Sequence, residues 1–166
     1  MTRREYTVRG RRVKRVLFVC VENSNRSQMA EAFARIHGAG RVEAHSAGSR
    51  PSGRINPKAV ESMREVGYDL STHVSKSVDL FAGRDVDAVV TMGCGDSCPG
   101  IVAPRRMDWS IPDPRALPSD AFRQVRDLIE SKVQELLASF EEPRMTAGPH
   151  PTDRNGKADD VPIQPC

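Results

Sequence analysis

Lys14–Phe33 reads KRVLFVCVENSNRSQMAEAF, and its interpretation decides the fold. Val13–Val19 is short, apolar and rich in β-branched residues, the mark of a strand buried on both faces. Ser24, Asn25, Arg26 and Ser27 supply turn and cap residues. Met29, Ala30, Ala32, Phe33 and Ile36 then recur at helical spacing, with Gly38 as the stop. Cys20 therefore stands where a buried strand meets a helix N-terminus, in the spacing Cys-x5-Arg-Ser. In such a loop the backbone N–H groups of Val21, Glu22, Asn23, Ser24 and Asn25 converge, and the helix dipole adds positive potential. That field suits a tetrahedral oxyanion and favours thiolate over thiol at Cys20. Arg26 offers the planar fork that clamps two oxygens of such an anion, which a lysine cannot do. The Ser27 hydroxyl can donate to the thiolate, and Asn23 suits a left-handed turn. A nucleotide-binding glycine loop is excluded, because this loop holds no glycine and no Gly-Lys-Ser/Thr.

Outward from this unit, strands and helices alternate. Val42–Ser46 reads as a second strand, followed by Ala47-Gly48 and a loop at Arg50–Arg54. Asn56 and Pro57 form a cap and first-turn pair that opens a helix through Val66, closed by Gly67. Ser77–Phe81 reads as a short helix, Ala88–Thr91 as a third buried strand and Arg105–Trp109 as a weaker fourth. Ser119 caps a last helix whose apolar stripe runs from Phe122 through Val125, Ile129, Val133, Leu136 and Leu137 to Phe140. The expected fold is α/β, a four-stranded parallel sheet with helices on both faces. Ligands of such sheets bind at the carboxyl ends of the strands, here after Val19, after Thr91 and near Trp109.

The 166 residues and 18.3 kDa suit one domain. With 38% apolar, 28% charged and 5% aromatic residues, the composition excludes a collagen, a coiled coil and a disulfide scaffold. No apolar run reaches membrane length, and no cleavable leader is evident. A cytoplasmic, reducing compartment is expected, in which four cysteines serve chemistry rather than cross-linking. The net charge is +3, concentrated in a basic arm over residues 1–12. With no aromatic platform or groove-reading helix beside it, the arm reads as a solvated leader and nucleic acid is not expected as a partner. Residues 141–166 are rich in proline and scattered charge and read as a disordered tail. The catalytic unit is thus expected over 13–140.

These blocks, together with His45–Pro51 (HSAGSRP), Asn56–Lys76, Val89–Gly100 (VVTMGCGDSCPG) and Asp108–Pro114 (DWSIPDP), resemble the low-molecular-weight phosphotyrosine phosphatase superfamily. The resemblance is closer to the arsenate reductases built on that fold. It implies Cys20 as nucleophile and Asp113, in Asp113-Pro114, as the acid that protonates the departing oxygen. Asp108 and Asp96 are the other candidate acids. Against phosphotyrosine as substrate, Arg115-Ala116-Leu117 follows where the phosphatases carry aromatic residues. Ser27-Gln28-Met29 also resembles the reductases rather than the phosphatases. The expected activity is reduction of arsenate to arsenite, in arsenic detoxification, with phosphate or sulfate competing. A protein-tyrosine phosphatase using Cys20 and Asp113 is the alternative.

Arsenate must gain two electrons, and two thiols joining as one disulfide supply them. Cys94 and Cys98, on the loop after the third strand, are the internal candidates. Their spacing departs from the thioredoxin-coupled reductases and looks more like the branch using a small thiol such as mycothiol. Both thioredoxin and a small-thiol system stay open as reductant, and Cys94 and Cys98 stay open as relay or spectators. No metal or other cofactor is expected, because no second Cys or His pair completes a zinc site. His37, His45, His73 and His150 read as core or loop residues, and Cys166 has no assigned role.

Overall fold

The computed structural model describes residues 7–8, 10–93 and 100–141. Chain order is β1 (Thr7–Val8), β2 (Arg11–Arg12), β3 (Lys14–Cys20), α1 (Arg26–Gly38), β4 (Val42–Gly48), α2 (Pro57–Arg64), β5 (Ala88–Thr91), β6 (Arg105–Asp108) and α3 (Ser119–Glu141). Short 3₁₀ helices at Leu70–Thr72 and Val78–Phe81 join α2 to β5. The main sheet has the order β4-β3-β5-β6, all parallel. The doubly buried strand expected around Cys20 is thus central, flanked by β4 and β5.

Alternation along β3 divides the core. Val16, Phe18 and Cys20 face α1, α2 and α3 together with Ala44, Ala88, Val90 and Met92. Leu17 and Val19 face the other way and meet Ala47, Val89, Phe81 and Ile101. The α-helices therefore cover one face, and the 3₁₀ helix Val78–Phe81 contributes Phe81 to the other. Both faces exclude water, which explains why β3 carries no polar alternation.

Most element ends fall within a residue or two of their expected places. Asn56 caps α2, its Oδ1 accepting the Lys58 N–H at 2.9 Å. That helix ends at Arg64, short of Val66, and Gly67 takes the left-handed φ of 84°. Ser119 is the first residue of α3 rather than its cap, and the Phe122 N–H bonds the Pro118 carbonyl. At the end of α1, Ala39 and not Gly38 takes the left-handed φ of 44°. Gly38 serves a close approach instead, since a Cβ there would lie 3.2 Å from Val42 Cβ. The β1–β2 hairpin, turning at Gly10, is absent from the sequence reading of the arm. Cys94, Asp96, Cys98, His150, Cys166 and the proline-rich tail beyond Glu141 lie outside the described residues.

Candidate functional site

The loop between β3 and α1 is held from outside by its carbonyls. Cys20 O, Val21 O, Glu22 O and Ser24 O accept the N–H groups of Ser49, Arg50, Ser52 and Asn56. The loop's own N–H groups, from Val21 to Ser27, make no backbone hydrogen bond among the described residues. Carbonyls turned out and N–H groups left over make a nest for an anion. Asn23 sits at φ 50°, the left-handed kink such a nest needs. Asn25 occupies the cap position of α1 but makes no side-chain cap bond, and its buried Oδ1 has no partner. The sequence predicts a capping side chain here, and the structure shows none. The first-turn N–H groups instead remain open toward the loop, where an anion can take them. Gly48 closes the back of the nest, since a Cβ on it would lie 2.5 Å from Val21 O and 2.9 Å from Asn23 N.

Cys20, the last residue of β3, is 3% exposed where this loop begins, and its Sγ lies 2.9 Å from Ser27 Oγ. The hydrogen of that contact can be assigned from its neighbours. Lys76 N–H donates to Asn23 Oδ1 at 2.8 Å, which fixes the Asn23 amide. Asn23 Nδ2 must then donate to Ser27 Oγ, also at 2.8 Å, so the serine's own hydrogen is free for the sulfur. Gln28 Nε2 donates to Asn23 Oδ1 and to the carbonyls of Asn23 and Val74. Gln28 Oε1 is left to accept from His73 Nδ1 at 2.8 Å, and His73 Nε2 accepts from Tyr68 OH at 2.8 Å. Burial pushes the His73 pKa below its ordinary value, the neutral form that this single tautomer requires. Every donor from Tyr68 to Ser27 thus points toward Cys20. Beneath the loop the buried Glu31 carboxylate accepts from Ser46, pairs with Arg35 and lies 3.7 Å from Lys76 Nζ.

Arg26 is buried at the first position of α1. Its Nη1 donates to Met92 O at 2.8 Å and Ile111 O at 2.9 Å, tying the guanidinium to the ends of β5 and β6. Its Nη2 lies 3.9 Å from Asp113 Oδ2. The expected clamp at the start of α1 and the expected acid beyond β6 thus meet, at the sheet edge where β3 ends in Cys20. Asp108 is placed otherwise: its Oδ1 accepts Thr91 Oγ1 at 2.6 Å and Gly93 N at 3.3 Å, binding β6 to the end of β5. His45 pairs with Glu43 and His37 with Glu130, both away from the loop. Among the described residues no group of His, Cys, Asp and Glu is arranged to hold a metal ion. His73, read from sequence as a loop residue, belongs to the hydrogen-bond chain, as do Gln28 and Tyr68. No local spacing signals them, because they meet only through the fold.

A parallel sheet of order β4-β3-β5-β6 with an anion nest, a buried cysteine and a fixed arginine at its carboxyl edge defines a phosphatase-type oxyanion site. The chain belongs to the low molecular weight phosphotyrosine protein phosphatase family, which residues 15–145 match. It is 39% identical over 131 residues to a glutaredoxin arsenate reductase of Synechocystis, covering 77% of this chain and 99% of that protein. An arsenate reductase solved in its phosphate-binding state superposes with a TM-score of 0.69 at 37% identity, over 76% of this chain and 98% of the other. A thioredoxin-dependent arsenate reductase of Corynebacterium glutamicum gives 0.63 at 34% identity, over 78% of this chain and 62% of the other.

Proposed function

We propose that this protein reduces arsenate to arsenite in a reducing cytoplasm, with Cys20 as nucleophile. The observation that carries this reading is the Cys20–Ser27 contact inside an anion nest clamped by Arg26, in a chain whose relatives are named arsenate reductases. Residues 13–140 form the catalytic unit. Loop N–H groups and Arg26 hold three oxygens of arsenate, and phosphate or sulfate competes for the same donors. The Cys20 thiolate attacks arsenic while the fourth oxygen departs as water with a proton from Asp113. A second thiolate then attacks the Cys20 sulfur. The sulfur–sulfur bond forms, the sulfur–arsenic bond breaks, and its electron pair leaves with arsenite.

Two sources of that second thiol are open to test. Cys94 can attack and Cys98 then displace Cys20, leaving Cys94–Cys98 for thioredoxin or a small thiol to reduce. Alternatively a small external thiol attacks directly. Single turnover without added reductant separates them. One arsenite per wild-type enzyme, and none from Cys94→Ser, supports the relay. Full activity of Cys94→Ser and Cys98→Ser with a small thiol, and nothing from wild type alone, supports the external route. Arsenite production assayed beside aryl phosphate hydrolysis tests the activity itself. Strong phosphatase turnover with no arsenite from any thiol donor overturns the reductase reading in favour of a tyrosine phosphatase.

A further inference from the structure

Arg115 follows the Asp-Pro pair and reaches back across the site. Its Nη1 lies 2.9 Å from Glu22 Oε1, on the oxyanion loop two residues after the nucleophile. Its Nη2 lies 3.2 Å from Asp113 Oδ2, and its backbone N–H donates to Asp113 Oδ1 at 3.0 Å. One guanidinium thereby joins the loop that binds the anion to the loop that carries the acid.

Beside this bridge lies a cleft of about 390 Å³ between the oxyanion loop and residues 52–57. Its wall includes Glu22, Ser24, Asn25, Arg54 and Arg115, with no aromatic residue. Cys20, Arg26 and Asp113 do not border it. The two bridge residues thus stand between this open cleft and the part-exposed Asp113, with Cys20 and Arg26 buried behind it.

We propose that the Arg115–Glu22 bridge is a specificity element that admits a free tetrahedral oxyanion and shuts out its esters, and that opening it uncovers a phosphomonoesterase activity. This rests on the reading of Cys20 as nucleophile and Asp113 as acid. A free oxyanion loses its fourth oxygen as water, which needs little room. In an ester that oxygen carries a substituent, and the acid must sit within hydrogen-bond reach of the same oxygen. The substituent must therefore emerge next to Asp113, where the Arg115 guanidinium lies. With the bridge opened, the cleft joins the centre and the ester fits. Cys20 sulfur then bonds phosphorus as the phosphorus–oxygen ester bond breaks, and Asp113 gives its proton to the leaving alcohol. Water next cleaves the sulfur–phosphorus bond, returning a proton to Asp113 and releasing phosphate.

The test is hydrolysis of para-nitrophenyl phosphate by wild type, Arg115→Ala and Glu22→Gln. Wild type should be slow, and Arg115→Ala should raise kcat/KM about 5- to 30-fold, the range that loss of two partly exposed ion pairs allows. Glu22→Gln should give a smaller rise in the same direction, and it carries the test alone if Arg115→Ala does not fold. Inhibition of Arg115→Ala by inorganic phosphate should stay within about twofold of wild type, because Arg115 lies outside the Val21–Ser27 loop that supplies the nest. The double variant Cys20→Ser/Arg115→Ala should be inactive. Wild-type hydrolysis equal to that of the variants, or no gain in either, overturns the proposal. Hydrolysis surviving in the double variant also overturns it, by showing that the activity lies elsewhere. Arsenite production, measured separately, decides the reductase reading whatever the ester result.

Discussion

Ser27 keeps its hydrogen for the Cys20 thiolate, because Asn23 donates to the hydroxyl and takes no hydrogen from it. A hydrogen bond to a charged atom in a buried site is worth more than one between neutral groups. Ser27→Ala should therefore slow alkylation of Cys20 by iodoacetamide at neutral pH by about tenfold or more. Cys20→Ser should abolish turnover, since a hydroxyl at neutral pH is a far weaker nucleophile. Arg26→Lys should reduce arsenite formation by about 100-fold or more. One ammonium cannot hold Met92 O and Ile111 O and still present two parallel donors to an oxyanion. The same variant should lose phosphate protection of Cys20 from alkylation; near-normal protection would refute the clamp. Cys20, Arg26 and Ser27 are readable from sequence because one local unit sets their relation. Gln28–His73 and Asn23–Lys76 bridge separations of 45 and 53 residues, which no spacing rule records.

Between elements, Glu65 does the equivalent service. It lies just past the end of α2 and receives Arg123 through Nε and Nη2 and Arg126 through Nη1, both on α3. The Arg123 hydrogen bond is the largest influence on its carboxyl, whose pKa falls from 4.5 to about 2. A carboxylate depressed in the folded state stabilises fully above its unfolded pKa, and that stabilisation fades as pH drops through the folded value. Thermal melts should accordingly show wild type above Glu65→Gln at neutral pH. The gap should close between about pH 4.5 and 2. A gap independent of pH in that window would assign the effect to packing. The helices themselves were legible in advance, since caps such as Asn56 and stripes such as Phe122–Phe140 are local patterns. Their placement on one sheet face was not. Apolar stripes say that a helix is covered, and only the crossover geometry says by what.

Across the whole molecule, the basic arm is more than a leader. Arg12 pairs with Asp87, whose side chain is 12% exposed and whose Oδ2 also accepts the Arg15 N–H at 2.8 Å. Deleting residues 1–12 leaves that carboxylate with half its partners. The melting temperature should fall by roughly 2–4 °C, for a loss of about 1 kcal/mol. Phosphate affinity should not change, because Asp87 precedes β5 at the edge opposite the nest; a parallel loss of affinity would tie the arm to the site. Composition could flag the arm's charge but not its docking, because Asp87 is an ordinary acid until the fold brings it to β3.

The packing of Gly48 against the back of the nest carries a consequence for motion. With no side chain between them, the end of β4 and the Cys20 loop form one wall, and the loop carbonyls are bolted to residues 49–56. The loop that follows Cys20 is thus braced against movement on its outer side. Thiol exchange demands that two sulfurs travel to within bonding distance, so most of that travel falls to the incoming thiol. The nucleophile is the berth, and the incoming thiol, internal or external, is the ferry.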